Sequence, residues 1–251
     1  MSTILPGNQE SAALALDGGM DGLLRRRKMM GGIGDPTSKK IISLLHLDGN
    51  FTDARGNTIF NGNTFNYSFT EGKFGNGVQN TVGGKSGSVN VSVNNLLGSI
   101  PTQFTASLWA KNYFAGMFKY PICLCCSNNG YRYDESGCGL TIFMAPDSSA
   151  FRCYIFPKGS YNNRITVTSS ANTVNDGNWH HHAVTYDTGT IKWYRDGIKI
   201  AEHTLTDISD AFGYSGPAIR WAALFFADEL MFSDKLLING DTYDVPTAPS
   251  K

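Results

Sequence analysis

Three consecutive histidines, His180, His181 and His182, are the densest set of metal-binding or proton-carrying side chains in the sequence. Imidazole binds zinc and changes charge near neutral pH. On an extended strand, successive side chains point to opposite faces, so only His180 and His182 share a side. That split favours histidines satisfied inside a sheet over a metal triad. Five cysteines, Cys123, Cys125, Cys126, Cys138 and Cys153, crowd into one stretch. The set offers no paired C-x2-C motifs for zinc, and an odd, clustered count does not suit a disulfide framework. It reads as reduced thiols. Asp134 and Glu135 are adjacent and therefore point apart, and no nucleophile elbow, P-loop or H-E-x-x-H motif is present. The chain is not expected to be an enzyme.

The elements that must position these residues are strands. The 251 residues carry 21 Lys+Arg and 21 Asp+Glu, so no net charge draws the chain to nucleic acid or an anionic membrane, and neither is an expected partner. Gly reaches 28 residues and aromatics 12%, a composition of short strands joined by tight turns. Alternating or apolar segments fall at 41–47, 64–69, 89–93, 104–110, 120–126, 139–144, 152–156, 164–169, 180–186, 190–195 and 222–232. Turn dipeptides separate them, among them Asp48-Gly49 and Asp196-Gly197, the latter suited to a type I′ hairpin. The pattern predicts two packed antiparallel sheets over 41–240, with an N-terminal arm at 1–40 and a C-terminal tail at 241–251. The longest late apolar run, 221–227, falls far short of the ~20 residues that span a bilayer.

Three stretches resemble laminin-G-like jelly rolls of the concanavalin A-like lectin and glucanase superfamily, pentraxins included. Asp176-Gly-Asn-Trp-His-His-His-Ala-Val-Thr-Tyr-Asp187 with the Tyr194-Arg-Asp-Gly197 hairpin looks like the central hairpin of that family. Phe74-Gly-Asn-Gly-Val78 and Phe104-Thr-Ala-Ser-Leu-Trp-Ala-Lys111 look like its lead-in and following strand. Ala227-Asp-Glu-Leu-Met-Phe-Ser-Asp-Lys-Leu-Leu237 is similar to its last strand. The resemblance implies an all-β, two-sheet antiparallel jelly-roll sandwich. The glucanases of the superfamily place carboxylates as E-x-D-x-x-E on one strand, and that triplet is missing here. Many relatives hold one structural Ca²⁺ between first and last strands, which makes Asp48, Asp53 and Asp228 the expected ligands and calcium the only expected cofactor. Saccharide binding is the other inheritance of the fold. Asn128, Asn129, Tyr131, Tyr133, Tyr161 and Asn162 combine rings with amides as a sugar site requires, and host glycans are the expected ligands.

The arm has its own chemistry. Six basic residues face four acidic ones across 1–40, and glycines break any long helix. Leu23, Leu24, Arg25, Arg26, Arg27, Met29 and Met30 join apolar contact to charge, as a docking segment does. An R-R-R-x-M-M arm on a lectin-like body resembles accessory virion proteins of tailed bacteriophages. No basic segment followed by an apolar one opens the chain. The expectation is a virion structural protein made in the host cytoplasm: a capsid decoration, head fibre or tail accessory. Residues 1–40 would dock on other virion proteins, with copies forming a homo-oligomer or filling a lattice. A bacterial cell-surface adhesion module and a polysaccharide hydrolase are the alternatives.

Overall fold

Every strand among the described residues finds an antiparallel partner. The computed structural model describes residues 41–56, 59–60, 67–80, 89–92, 102–111, 119–125, 139–144, 151–156, 165–168, 177–205, 218–222 and 226–250. Its strands are β1 (Ile41–Leu45), β2 (Ile59–Phe60), β3 (Tyr67–Glu71), β4 (Asn76–Asn80), β5 (Val89–Ser92), β6 (Gln103–Lys111), β7 (Lys119–Cys125) and β8 (Gly139–Met144). They continue with β9 (Phe151–Phe156), β10 (Ile165–Thr168), β11 (His180–Asp187), β12 (Thr190–Arg195), β13 (Ile198–Thr204), β14 (Ala218–Ala222) and β15 (Phe226–Ser233). The first sheet runs β13-β12-β11-β6-β15-β4-β3, with β1 also on β15; the second runs β10-β9-β8-β7-β14-β5-β2.

Two expectations are corrected by this topology. The apolar segment 222–232 is not one strand: β14 lies in the second sheet and β15 in the first. The hairpin at Asp196-Gly197 feeds a further strand, β13, that apolar patterning did not mark. The turn itself is as expected, with φ of +50° and +82° at its two central residues.

Both faces of the first sheet are buried over most of its central strands, β6, β11, β12 and β15. One carries Phe104, Leu108, Val184, Tyr186, Trp193 and Phe232, with Phe104 stacked between Tyr186 and Phe232. Each such side chain contributes roughly 1.5–3 kcal/mol by leaving water. The opposite, outer face carries Thr105, Ser107, Trp109, His181, Ala183 and Tyr194, more polar but equally buried. The chain after β15 covers it. Thr105 Oγ1 donates to the Lys235 carbonyl and accepts from the Leu237 amide, both at 2.9 Å. Ile238 and Tyr243 pack on Ala183 and Tyr194, while Tyr194 donates to the Gly240 carbonyl. Residues 241–250, expected as a tail, therefore close a face of the body. Thr242 bridges Ile198, and the Tyr243 amide bonds the Gly197 carbonyl so closely that a side chain at Gly197 would strike the Tyr243 carbonyl.

β7, which carries Cys123 and Cys125, and β9, which carries Cys153, are separated in the sheet by β8, with Cys123 in register with Thr141 and Cys153 with Ile142. Cys126 and Cys138 lie outside the described residues.

Candidate functional site

The first sheet presents its chemistry at three places, two on the outer face and one along the histidine strand, whose side chains alternate between the faces. The first is a bulge in β15. This strand pairs with β4 through Phe226 and Ala227, then with β1 from Leu230 onward, and its register against β6 shifts between Asp228 and Met231. Glu229 takes φ +51° at this changeover. A bulge frees side chains from the ladder and re-aims them. Asp228, without solvent exposure, accepts the Phe74 amide on Oδ2 at 2.8 Å and the Glu229 amide on Oδ1 at 2.9 Å. Glu229, also buried, pairs with His46 Nδ1 at 2.7 Å and accepts the Ser250 amide at 3.0 Å. Two adjacent carboxylates thus hold the end of β1, the loop after β3 and the C-terminal segment. Gly72 is required here, because a Cβ would stand 2.7 Å from Asp228 Oδ2 and nearer still to the Asn76 backbone. Burial pushes the Asp228 carboxyl up to about 7, the amides of Phe74 and Lys73 opposing it and the Glu229 charge adding to it. A raised carboxyl is what a general acid needs. Yet Asp228 is sealed from solvent and faces backbone donors, so no substrate oxygen reaches it.

Of the three aspartates expected to bind calcium, Asp48 and Asp228 meet the same loop and Asp53 turns elsewhere. Asp48 Oδ1 accepts the Asn76 amide at 2.7 Å. Asp53 Oδ1 accepts the Leu44 amide at 2.9 Å and the Arg55 amide at 2.8 Å. Among the described residues, no three His, Cys, Asp or Glu side chains gather as metal ligands. Backbone N–H groups bond Asp48 Oδ1, Asp53 Oδ1 and both oxygens of Asp228, while Asp53 Oδ2 is buried without a hydrogen-bond partner among the described residues.

The second place is the histidine strand. His180 Nδ1 lies 2.6 Å from Asp196 Oδ2, and Arg195 Nη2 donates to His180 Nε2 at 2.8 Å. A guanidinium only donates, so the proton of this ring sits on Nδ1 and goes to Asp196. The pair has the Asp-His spacing of a hydrolase, but an arginine occupies the position of the nucleophile. Burial pushes the Asp196 carboxyl up, but the bonds from His180 and from the His181 amide outweigh it and leave it below its ordinary value. His181 is buried against Trp109 and Tyr243 and shares a hydrogen bond with the Tyr243 hydroxyl. His182 points to the opposite face beside Leu108. Burial pushes both rings down to about 3, with Arg195 adding to the effect at His182. The expected split of the three histidines holds.

The third place was not found from sequence. At one end of the outer face Trp179, Lys111, Phe226 and Gln79 come from four neighbouring strands or their ends and stand side by side. All four are partly exposed. Lys111 Nζ sits 5.9 Å from the Trp179 ring centre and 5.8 Å from that of Phe226. One row inward, Lys73 Nζ lies 4.5 Å over Trp109. Lys111 and Trp179 both stand in stretches that carry the family resemblance. Only the register brings them together.

The expected sugar residues Asn128, Asn129, Tyr131, Tyr133, Tyr161 and Asn162 lie outside the described residues, as do Leu23, Leu24, Arg25, Arg26, Arg27, Met29 and Met30 of the arm.

Comparison with known proteins agrees with this architecture. A laminin-G family model, described as the Concanavalin A-like lectin/glucanases superfamily, matches residues 83–225. No curated protein matches in sequence. Domain 4 of AbnA, an extracellular GH43 arabinanase of Geobacillus stearothermophilus solved with arabinotriose, is 17% identical with a TM-score of 0.55, covering 77% of this chain and 92% of that one. The binding domain of botulinum neurotoxin serotype D/C is 15% identical with a TM-score of 0.59, covering 80% of this chain and 50% of that one. A Trypanosoma rangeli sialidase mutant with trans-sialidase activity is 12% identical with a TM-score of 0.55, covering 78% of this chain and 31% of that one. At such identities the likeness is one of fold.

Proposed function

Because the chain belongs to the concanavalin A-like lectin/glucanase superfamily, we propose that it is a non-enzymatic glycan-binding module, carried on a virion by its N-terminal arm. The observation that supports a non-enzymatic role most strongly is the use made of Asp228 and Glu229. Glycoside hydrolysis needs two carboxyls facing one bond, roughly 5–9.5 Å apart, with access to substrate and water. These two are buried and hold backbone amides. Glycan binding draws support from the superfamily and from a fold shared with a domain solved with arabinotriose. Asn128, Asn129, Tyr131, Tyr133, Tyr161 and Asn162 are the candidate contacts.

The arm reading rests on its residues. Arg25, Arg26 and Arg27 among Leu23, Leu24, Met29 and Met30 give a segment that binds a partner by charge and apolar contact together. Virion proteins are the partners proposed, with this chain in repeated copies. Deletion of residues 1–40 tests both halves. The shortened protein is expected to fold and to bind the same glycans as the full chain, while no longer joining particles. Normal incorporation overturns the arm reading, and a glycan array without hits for the full chain overturns the binding reading.

A further inference from the structure

We propose that the row Trp179, Lys111, Phe226 and Gln79, with Lys73 one row inward, is a subsite for an anionic saccharide, an oligosaccharide bearing carboxylate or sulfate. The inference rests on the glycan-binding reading and names its ligand class. Four features on one surface support it.

First, neither ammonium meets a carboxylate among the described residues. Elsewhere on the first sheet Lys192 meets Asp241 at 3.8 Å, and Lys199 meets Glu202 and Asp241 at 2.7 Å each. Among the described residues, Lys111 and Lys73 form no ion pair and are held over rings. A cation–π contact positions a cation without cancelling its charge.

Second, the two charges are spaced for one ligand. Trp109 and Lys111 lie two residues apart on the same face of β6, about 7 Å along the strand. Lys73 sits over Trp109, so the two ammoniums overlook neighbouring rows.

Third, the platform suits sugar. Trp179 and Phe226 meet edge to face with ring centres 6.5 Å apart, and Lys111 lies near both. Partly exposed rings offer apolar surface to the C–H faces of a pyranose, while Gln79 supplies an amide beside them. Four neighbouring strands at ~4.8 Å spacing make a row of roughly 14 Å, an oligosaccharide's footprint rather than a single ring's.

Fourth, the segment after β15 that covers the rest of the outer face stops short of it. The contacts of residues 235–245 fall on Thr105, His181, Ala183 and Tyr194, and the row ending in Trp179 and Lys111 remains partly exposed.

The test is calorimetric titration of the full-length protein with three hexasaccharides: oligogalacturonate, heparin and neutral maltohexaose. At least one acidic probe is expected to bind about tenfold or more tighter than the neutral one. Which of the two wins assigns the anion as carboxylate or sulfate. Raising NaCl from about 50 to about 500 mM is expected to weaken that binding severalfold, a readout independent of any variant. Lys111→Met is expected to cost about tenfold and Lys73→Met about threefold, while Lys111→Arg retains binding. Equal binding of all three probes, or of neutral sugar alone, overturns the subsite and leaves the glycan-binding reading standing. So does acidic binding that Lys111→Met leaves unchanged. Failure to bind these probes or any array glycan overturns both.

Discussion

Two neighbouring parts of the outer face treat charge in opposite ways. At the β15 bulge, Asp228 and Glu229 are buried and their oxygens accept the amides of Phe74, Glu229 and Ser250. At the end row, Lys111 and Lys73 reach a partly open surface and rest on aromatic rings. Buried charge is costly unless fully hydrogen-bonded, so the carboxylates are consumed in holding three chain segments together. The lysines stand on a partly exposed or exposed surface and meet no carboxylate among the described residues. Under the proposed reading, the carboxylates serve the fold and the cations serve a ligand.

The comparison breaks most readily at Asp228. Asp228→Ala removes a fully buried side chain and leaves the buried Glu229 amide and the part-buried Phe74 amide without their acceptor, and is expected to cost about 2–4 kcal/mol by denaturant unfolding. A loss under about 1 kcal/mol would mean the bulge carboxylate is not structural.

Acid acts through the histidine strand, on both faces of the sheet. His181 on the outer face and His182 on the opposite one are held neutral by burial, down to about 3 from 6.5. The unfolded chain therefore binds their protons first, and stability falls as pH drops from 6.5 toward 3, by about 1.4 kcal/mol per pH unit for each ring at most. Asp228, raised to about 7, works with the other sign: its contribution is complete below 3.8 and is lost as pH rises through 7. The net expectation is a fall on acidification shallower than two histidines alone would give. Urea titrations at pH 7, 6 and 5 read the slope, and flat stability would contradict the neutral-histidine account.

Lys111→Met is expected to change unfolding free energy by less than about 1 kcal/mol, since a cation–π contact at a partly exposed site contributes little. A larger loss would make this lysine a structural part like the bulge. The smallest expected effect is that of EDTA. If the aspartates serve amides rather than calcium, the melting temperature stays where it was, whereas a clear drop, reversed by Ca²⁺, would restore the ion site.

The strands with strict alternation were legible from sequence, and so was the Asp196-Gly197 turn, because period and positive φ leave marks in residue type. The break between β14 and β15 was not. Trp221 to Ala227 is continuously apolar, and nothing in residue type tells a chain that it changes sheets. β4 escaped because Asn76, Gly77 and Asn80 carry no apolar rhythm. Asp228 was legible as important but not in its role, since backbone amides are the same at every position and appear only when the bulge aims them. The row of Trp179, Lys111, Phe226 and Gln79 is a product of register alone, drawn from residues up to 147 apart in the chain.

The most direct test of binding without cleavage is prolonged incubation of the full-length protein with the oligosaccharides it binds, followed by mass spectrometry of the sugars. The account predicts that every bound oligosaccharide is recovered at its starting length. Shorter products with wild type, absent with Asp228→Asn or Glu229→Gln, would contradict it.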